Sequence, residues 1–383
     1  MLPEKILAHL AKSCPEVRAM LAVMYHEGLQ EYDFGPGHPL QGNRFRIFPE
    51  FLKKTLPEDG NYRFFPGEAV GDEDLRLICT QEYIDFTREY FRAAHAGLTV
   101  SQSRFGRYHS MDNLPQGRPG KLEEAARLII GLEKRACELV MAGEYPGALC
   151  FGGLHHAKPG YGEGFCIYND VAFTAKHLLE KYGLERVLVL DTDAHAGNGT
   201  AEYFYESDRV LLIDIHQDPR TLYPGTGFAS ELGRGPGLGY TVNIPVPPGA
   251  GDRSYELVFD ELIEPVVWKF QPQIIVRNGG SDPHFADDLT GLGLTVAGFN
   301  MIGRKVRKLA EVCAGRHIDI LGSGYNLEVL PYAWMSLVAG IADFKVDVRP
   351  PFEEAASDRA VAHTEKVVEE VKKNLRKIGK YFA

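Results

Sequence analysis

Short apolar runs alternate with longer stretches of helical period through the centre of this chain, and the run Val187-Leu188-Val189-Leu190 is the clearest of them. Uninterrupted apolar residues of that length read as a strand buried on both faces of a parallel sheet. The same pattern predicts strands over 147–151, 186–190, 210–215, 240–246, 273–276 and 318–321. Between them it predicts helices over 170–182, 200–206, 254–270 and 300–314. Such βαβ alternation implies a mostly parallel sheet covered by helices on both faces. No boundary interrupts it, so one α/β domain over 1–383 is expected.

The flanks are less regular. Residues 4–10 and 16–24 have helical spacing with a break at Pro15, although Ala22-Val23-Met24-Tyr25-His26 reads equally as the start of a first strand. Residues 34–44 are too rich in Gly and Pro for an element interior. The spacing over 73–92 suggests a short strand and then a helix, and 98–120 reads as a long surface loop. Residues 121–142 form the clearest amphipathic helix, ended by Gly143. A charged helix over 352–381, with Val361, Val367, Val368, Val371, Leu375 and Ile378 on its apolar side, closes the chain. There is no internal repeat.

Composition narrows the function classes. A chain of 383 residues buries a large core without difficulty. Lys+Arg 42 against Asp+Glu 52 gives a net charge of −10, which argues against a general binder of nucleic acid or anionic membrane. No apolar stretch approaches the ~18 residues of a membrane span, and no leading basic-plus-apolar segment is present. The six cysteines contain no C-x-x-C pair and read as reduced core thiols. A soluble, cytoplasmic protein is expected.

The candidate chemistry follows the predicted strands. After Leu190 the polarity flips: Asp191, Asp193 and His195 stand at i, i+2 and i+4, on one side of an extended backbone. Two carboxylates and an imidazole beyond the carboxyl end of a buried strand suit a divalent cation. The structural alternative is a helix-capping Asp beside a satisfied loop His. His155 and His156 follow Gly152-Gly153-Leu154, and the pair serves one site only if that turn redirects it. In Gly164-Phe165-Cys166-Ile167-Tyr168-Asn169-Asp170 the phenyl either walls a channel or fills a core. Gly279-Gly280-Ser281-Asp282 supplies a third carboxylate, and Gly322-Ser323-Gly324-Tyr325 a phenol.

Taken in order, these motifs resemble the zinc-dependent histone deacetylase superfamily, including its prokaryotic acetoin-utilisation-type members, over roughly 25–337. The resemblance implies a parallel sheet of about eight strands, a fold shared with arginases. It implies Asp193, His195 and Asp282 as zinc ligands, His155 and His156 as the paired catalytic histidines with Asp191 and Asn198 as their partners, and Tyr325 as the carbonyl-polarising phenol. Phe165 with Gly164, Tyr223 and Leu289 match channel-wall positions, Asp112 lies near the rim aspartate, and His38-Pro39-Leu40 with Arg44 matches an N-terminal loop. A K+ or Na+ ion beside Asp191 and Asp214 is implied as well.

There are departures. Ala196 stands where many members carry a second His, Asn198 where some carry Asp, and Asp214 where a Ser is usual. Ser323 interrupts a glycine run, which bears on channel width. Arg277 is unusual within a buried strand, and a solvated strand end is its simplest explanation.

The resemblance implies hydrolysis of an N-acetylated primary amine, most plausibly the ε-amine of acetyl-lysine in proteins. The alternatives are a deacetylase of small amines such as acetylpolyamines, or a catalytically silent relative that binds metal or acylated ligand. Arginase chemistry needs a binuclear site with more ligands than these positions supply. Neither nucleic acid nor membrane is expected as a partner.

Overall fold

The computed structural model describes residues 21–98, 102–352 and 358–382. Eight strands, β1 (Leu21–Met24), β2 (Tyr62–Phe65), β3 (Gly147–Phe151), β4 (Val187–Asp191), β5 (Val210–Gln217), β6 (Thr241–Val246), β7 (Ile274–Gly279) and β8 (His317–Leu321), form one sheet in the order β2-β1-β3-β8-β7-β4-β5-β6. Every adjacent pair is parallel. The central strands β3, β8, β7 and β4 are buried along their whole length; β3 and β4 are accordingly near-continuous apolar runs, whereas β7 and β8 carry the buried pair Arg277 and Asp319. Their carboxyl ends lie side by side, and the candidate residues follow them directly.

Helices cover both faces, numbered here α1 (Arg44–Thr55), α2 (Gln81–His95), α3 (Leu122–Met141), α4 (Asp170–Lys181), α5 (Asn198–Phe204), α6 (Asp252–Val258, continuing through a π turn to Phe270), α7 (Val296–Ala310), α8 (Leu330–Ala342) and α9 (Val361–Lys377). Among the described residues no helix is long and apolar enough to cross a membrane.

Several expectations are corrected. The backbone from Leu21 is strand, which excludes the helix running to Met24 and bears out the alternative that a first strand starts within 22–26; residues 4–10 and 16–20 lie outside the described residues. No strand forms over 73–92: Asp72–Leu75 is one helical turn, and α2 starts at Gln81 with Thr80 accepting the Tyr83 N–H as its cap. Residues 102–120 are not merely a surface loop, and 99–101 lie outside the described residues. Phe105, His109 and Asn113 are fully buried there, with the His109 ring stacked on Phe105 at 5.0 Å and burial pushing its pKa down to about 3. The closing helix is shorter than 352–381, running Val361–Lys377.

Arg277 is not at a solvated strand end. It is 0% exposed, and its Nε donates to Asp319 of β8 at 2.8 Å. A buried guanidinium so paired costs more to strand than to keep, because removing one partner leaves the other charge uncompensated.

Candidate active site

The turn after β4 carries the metal candidates. Asp193 Oδ1 accepts the His195 backbone N–H at 2.8 Å, which folds the turn so that both side chains face the same space. Asp282 arrives from the end of β7, and His195 Nδ1 lies 3.1 Å from both Asp193 Oδ1 and Asp282 Oδ2. One ligand atom from each residue falls within a common 4.8 Å. Donors about 3.3 Å apart are the edges of a tetrahedron around an ion at ~2.0–2.1 Å, so the spacing fits zinc. Burial, then Asp193, pushes the Asp282 carboxyl up to about 8. Burial opposes charge on His195, yet hydrogen bonds to Asp193 and Asp282 raise it to about 10. Two buried carboxylates facing one another call for a shared positive charge, and a divalent cation supplies it.

The Gly152-Gly153 turn does redirect the histidine pair. Gly153 has φ +80°, and a Cβ on Gly152 would meet Asp170 Oδ2 at 1.9 Å. Asp170, at the start of α4, accepts the N–H groups of Gly153 and Leu154, both at 2.6 Å. The two imidazoles end up 4.2 Å apart between ring centres. His155 Nδ1 donates to Asp191 Oδ2 at 2.8 Å, and His156 Nδ1 lies 2.7 Å from Asn198 Oδ1. Burial opposes charge on His155, but Asp191 and Asp193 raise it to about 9. For His156, burial and then the neighbours His155 and His195 lower the pKa well below the usual value.

Around this pair stand the aromatic residues. Phe165 has φ +65°, a left-handed conformation strained for a phenylalanine, and it is pinned there by Tyr32, whose hydroxyl donates to Phe165 O at 2.7 Å. Gly164 beside it packs against the His156 ring, where a Cβ would meet Cδ2 at 2.3 Å. Tyr223 lies edge-on to His156 with ring centres 5.1 Å apart. The Tyr325 ring sits 6.0 Å from Phe165 and 6.4 Å from His195. Burial, then Asp282 and Asp193, raises the Tyr325 pKa well above the usual range, so the phenol stays a hydrogen-bond donor.

These six chain segments converge at the carboxyl end of the sheet, and residues 38–341 match the histone deacetylase domain family. The chain belongs to the histone deacetylase family. It is 38% identical over 335 residues to a probable deacetylase of Archaeoglobus fulgidus, covering 86% of this chain and 88% of that protein. It is 37% identical over 313 residues to the acetoin utilization protein AcuC of Staphylococcus xylosus, covering 81% and 80% respectively. Among solved structures, the HD domain of HDA15 superposes with a TM-score of 0.78 at 24% identity, over 94% of this chain and 95% of that one, which shows the same fold. As a member of this family the protein is a deacetylase.

The remaining predicted residues of the deacetylase spread outward from the chamber. Asp112 accepts the Gly164 N–H at 3.1 Å and the Ser110 hydroxyl, so its carboxylate braces the turn that carries Phe165. Tyr223 and Leu289 are 41% and 40% exposed, which places them at the rim. Asp214 lies beside Asp191 on the neighbouring strand and accepts from Gly197 N at 2.8 Å and from His216 Nδ1 at 2.7 Å. Arg44 is fully buried, donates to Gly322 O at 2.8 Å and lies 5.4 Å from the Tyr325 ring centre.

Sequence reasoning missed several supports. Asn278, in register with Asp191 on β7, donates Nδ2–H to both oxygens of Asp191 at 3.0 Å. Its signal was a polar residue at the carboxyl end of a buried strand. Asp287 ties the rim to the phenol by accepting the Leu289 N–H at 2.9 Å and the Tyr325 N–H at 2.7 Å. Glu163 had no signal beyond its place before Gly164-Phe165, and it bonds Asn198 Nδ2 at 2.7 Å.

Ser323, noted only as an interruption of glycines, donates its hydroxyl to Asp282 Oδ1 at 2.6 Å and leaves Oδ2 turned toward His195. That bond fixes which carboxylate oxygen is free to bind an ion. Removing such a support typically costs about 10–100-fold in metal affinity, so Ser323→Ala is expected to lose zinc to a competing chelator over that range with its thermal midpoint little changed. Equal affinity for variant and parent would reduce the hydroxyl to local packing.

Proposed function

We propose that this deacetylase is zinc-dependent and removes acetyl groups from the ε-amine of lysine in proteins. The observation that carries the reading is the convergence on one chamber of a three-ligand set, two histidines with different partners, and a phenol held protonated. Asp193, His195 and Asp282 would hold the ion, whose chemistry there is Lewis-acid polarisation of a carbonyl and of water. Three ligands from two carboxylates and one imidazole leave positions open, as catalytic zinc sites do.

The chain's own residues then divide the work. His156, neutral and buried, accepts a proton at Nε2, and an imidazole returns it to the departing amine. His155, carrying charge through Asp191, stabilises negative charge that develops beside it. Tyr325 donates its hydroxyl to the developing oxyanion. Phe165 and Tyr223 exclude water and hold an extended acyl-amine chain between them.

Support for a protein substrate comes from the mouth. Tyr223, whose ring centre lies 5.1 Å from that of His156, and Leu289, whose N–H is bonded to Asp287, are exposed large apolar side chains, at 41% and 40%. An apolar rim suits a peptide lying across the entrance better than a free polycation. A monovalent ion, K+ or Na+, belongs to the same reading. The adjacent buried carboxylates of Asp191 and Asp214 support it, while His216 on Asp214 already supplies part of the balancing charge. Among the described residues, five buried free cysteines fit a reducing, cytoplasmic setting.

The test is a ranking of kcat/KM for the zinc-loaded protein on acetyl-lysine peptides, acetylpolyamines and longer acyl-lysines. Acetyl-lysine peptides are expected to lead. A lead for acetylpolyamines would assign the site to small amines, and no turnover at full metal occupancy would make the protein a binding relative.

A further inference from the structure

Asn198, in the first turn of α5, stands between two groups with different demands. Its Nδ2 lies 2.7 Å from Glu163 Oε1, and its Oδ1 lies 2.7 Å from His156 Nδ1. An ionised carboxylate accepts hydrogen bonds and donates none, so Glu163 takes the amide N–H and the amide oxygen is left to face the imidazole. A ring nitrogen facing a carbonyl oxygen must donate. His156 therefore carries its proton on Nδ1 and presents a lone pair at Nε2.

Glu163 is itself held. Lys158 Nζ lies 2.8 Å from the same Oε1, with the Glu163 side chain only 15% exposed. Both residues sit on one tight strap, in which Lys158 N donates to Tyr161 O at 2.8 Å and Cys166 N to Glu163 O at 3.0 Å. The strap continues directly into Gly164 and Phe165, which pack against His156 and line the chamber.

We propose that Glu163, fixed by Lys158, is a positioning residue that sets the tautomer of His156 by orienting the Asn198 amide. The inference rests on the reading of His156 as proton acceptor. An asparagine amide is nearly symmetric in shape, and turned over it would offer N–H to Nδ1 and select the tautomer with its proton on Nε2, which cannot accept another there. The carboxylate removes that choice. It does so through an intervening amide, with Lys158 balancing its charge, so the ring is oriented without an anion in contact with it.

A hydrogen bond to a charged acceptor biases such a choice by about 10–100-fold, so losing it leaves the two tautomers near parity, and Glu163→Ala is expected to lower kcat at least about twofold, in step with the share of the Nε2-protonated ring, with KM little changed. Nitrogen-15 spectra of histidine-labelled, zinc-loaded protein, assigned by difference against His156→Ala, should show Nδ1 protonated in the parent and a mixture of tautomers in Glu163→Ala. Glu163→Gln should recover most of the loss, because Lys158 draws the new amide oxygen inward and that oxygen still accepts from Asn198.

The second variant reverses sign with background. Asn198→Asp alone brings two carboxylates together and should slow the enzyme at neutral pH. In the Glu163→Ala background the same change supplies an obligate acceptor to His156 Nδ1 and should raise kcat when it is read on the plateau above the acid limb, which an anion against His156 moves to higher pH. A parent-like tautomer in Glu163→Ala overturns the inference whatever the activity, and so does a kcat loss that Asn198→Asp fails to relieve. A tautomer that shifts while kcat stays at the parent value upholds the positioning role and overturns His156 as acceptor.

Discussion

Asp193→Ala is expected to abolish both stoichiometric zinc and turnover while the protein still folds. Asp193 contributes one of three candidate ligand atoms and also shapes the turn, its Oδ1 accepting the His195 N–H at 2.8 Å and lying 3.1 Å from His195 Nδ1. The substitution therefore removes one ligand and loosens a second. Changing a residue that merely supports a ligand costs about 10–100-fold in metal affinity, and losing the ligand itself goes further. The fold is insulated, because the sheet beneath is held by apolar strands and Asp193 follows the end of β4. Metal analysis, circular dichroism and turnover on one preparation check the outcome. Full zinc occupancy in the variant would remove Asp193 from the ligand set.

How much of this was legible in the sequence depended on how each residue does its work. β3 and β4 were readable because a central parallel strand is apolar throughout, and the chemistry was readable because it follows such strands directly. β2 was not: it is a short edge strand in which Arg63 is exposed and no apolar run develops. Helix α8 escaped for the opposite reason, since nearly every residue from Leu330 to Ile341 is buried and no polar face marks a period. Arg277 misled because its partner Asp319 lies on the neighbouring strand, a pairing that depends on sheet order rather than on spacing along the chain. The same limit applies to the site. Asp193 and His195 share one turn and announced themselves, whereas Asn278, Ser323 and Glu163 act through contacts between distant segments.

The histidine pair carries the second large effect, and its sign follows from the partners. His155 donates to Asp191 at 2.8 Å; burial opposes its charge, but Asp191 and Asp193 raise it to about 9, so it is cationic at neutral pH. His156 faces the neutral Asn198, and burial together with His155 and His195 holds its pKa well below the usual value, so it is neutral over the same range. A general base must be unprotonated at working pH, which selects His156 as the acceptor and leaves His155 as an electrostatic stabiliser. His156→Ala is then the more damaging change, with a loss of about 10²–10⁴ in kcat. Asn198→Asp places an anion against His156, favours the imidazolium and raises its pKa, so the acid limb of kcat/KM should move to higher pH. The alkaline limb should follow His155, whose raised pKa of about 9 a bound divalent ion brings down, so activity in the zinc-loaded protein should fall below that pH. A divalent ion nearby lowers both values together, so variants compared at equal zinc content keep the contrast. Profiles of His155→Ala, His156→Ala and Asn198→Asp decide the matter. If His155→Ala is clearly the worse and the Asn198→Asp acid limb stays in place, the proton passes through His155 and the two roles are exchanged.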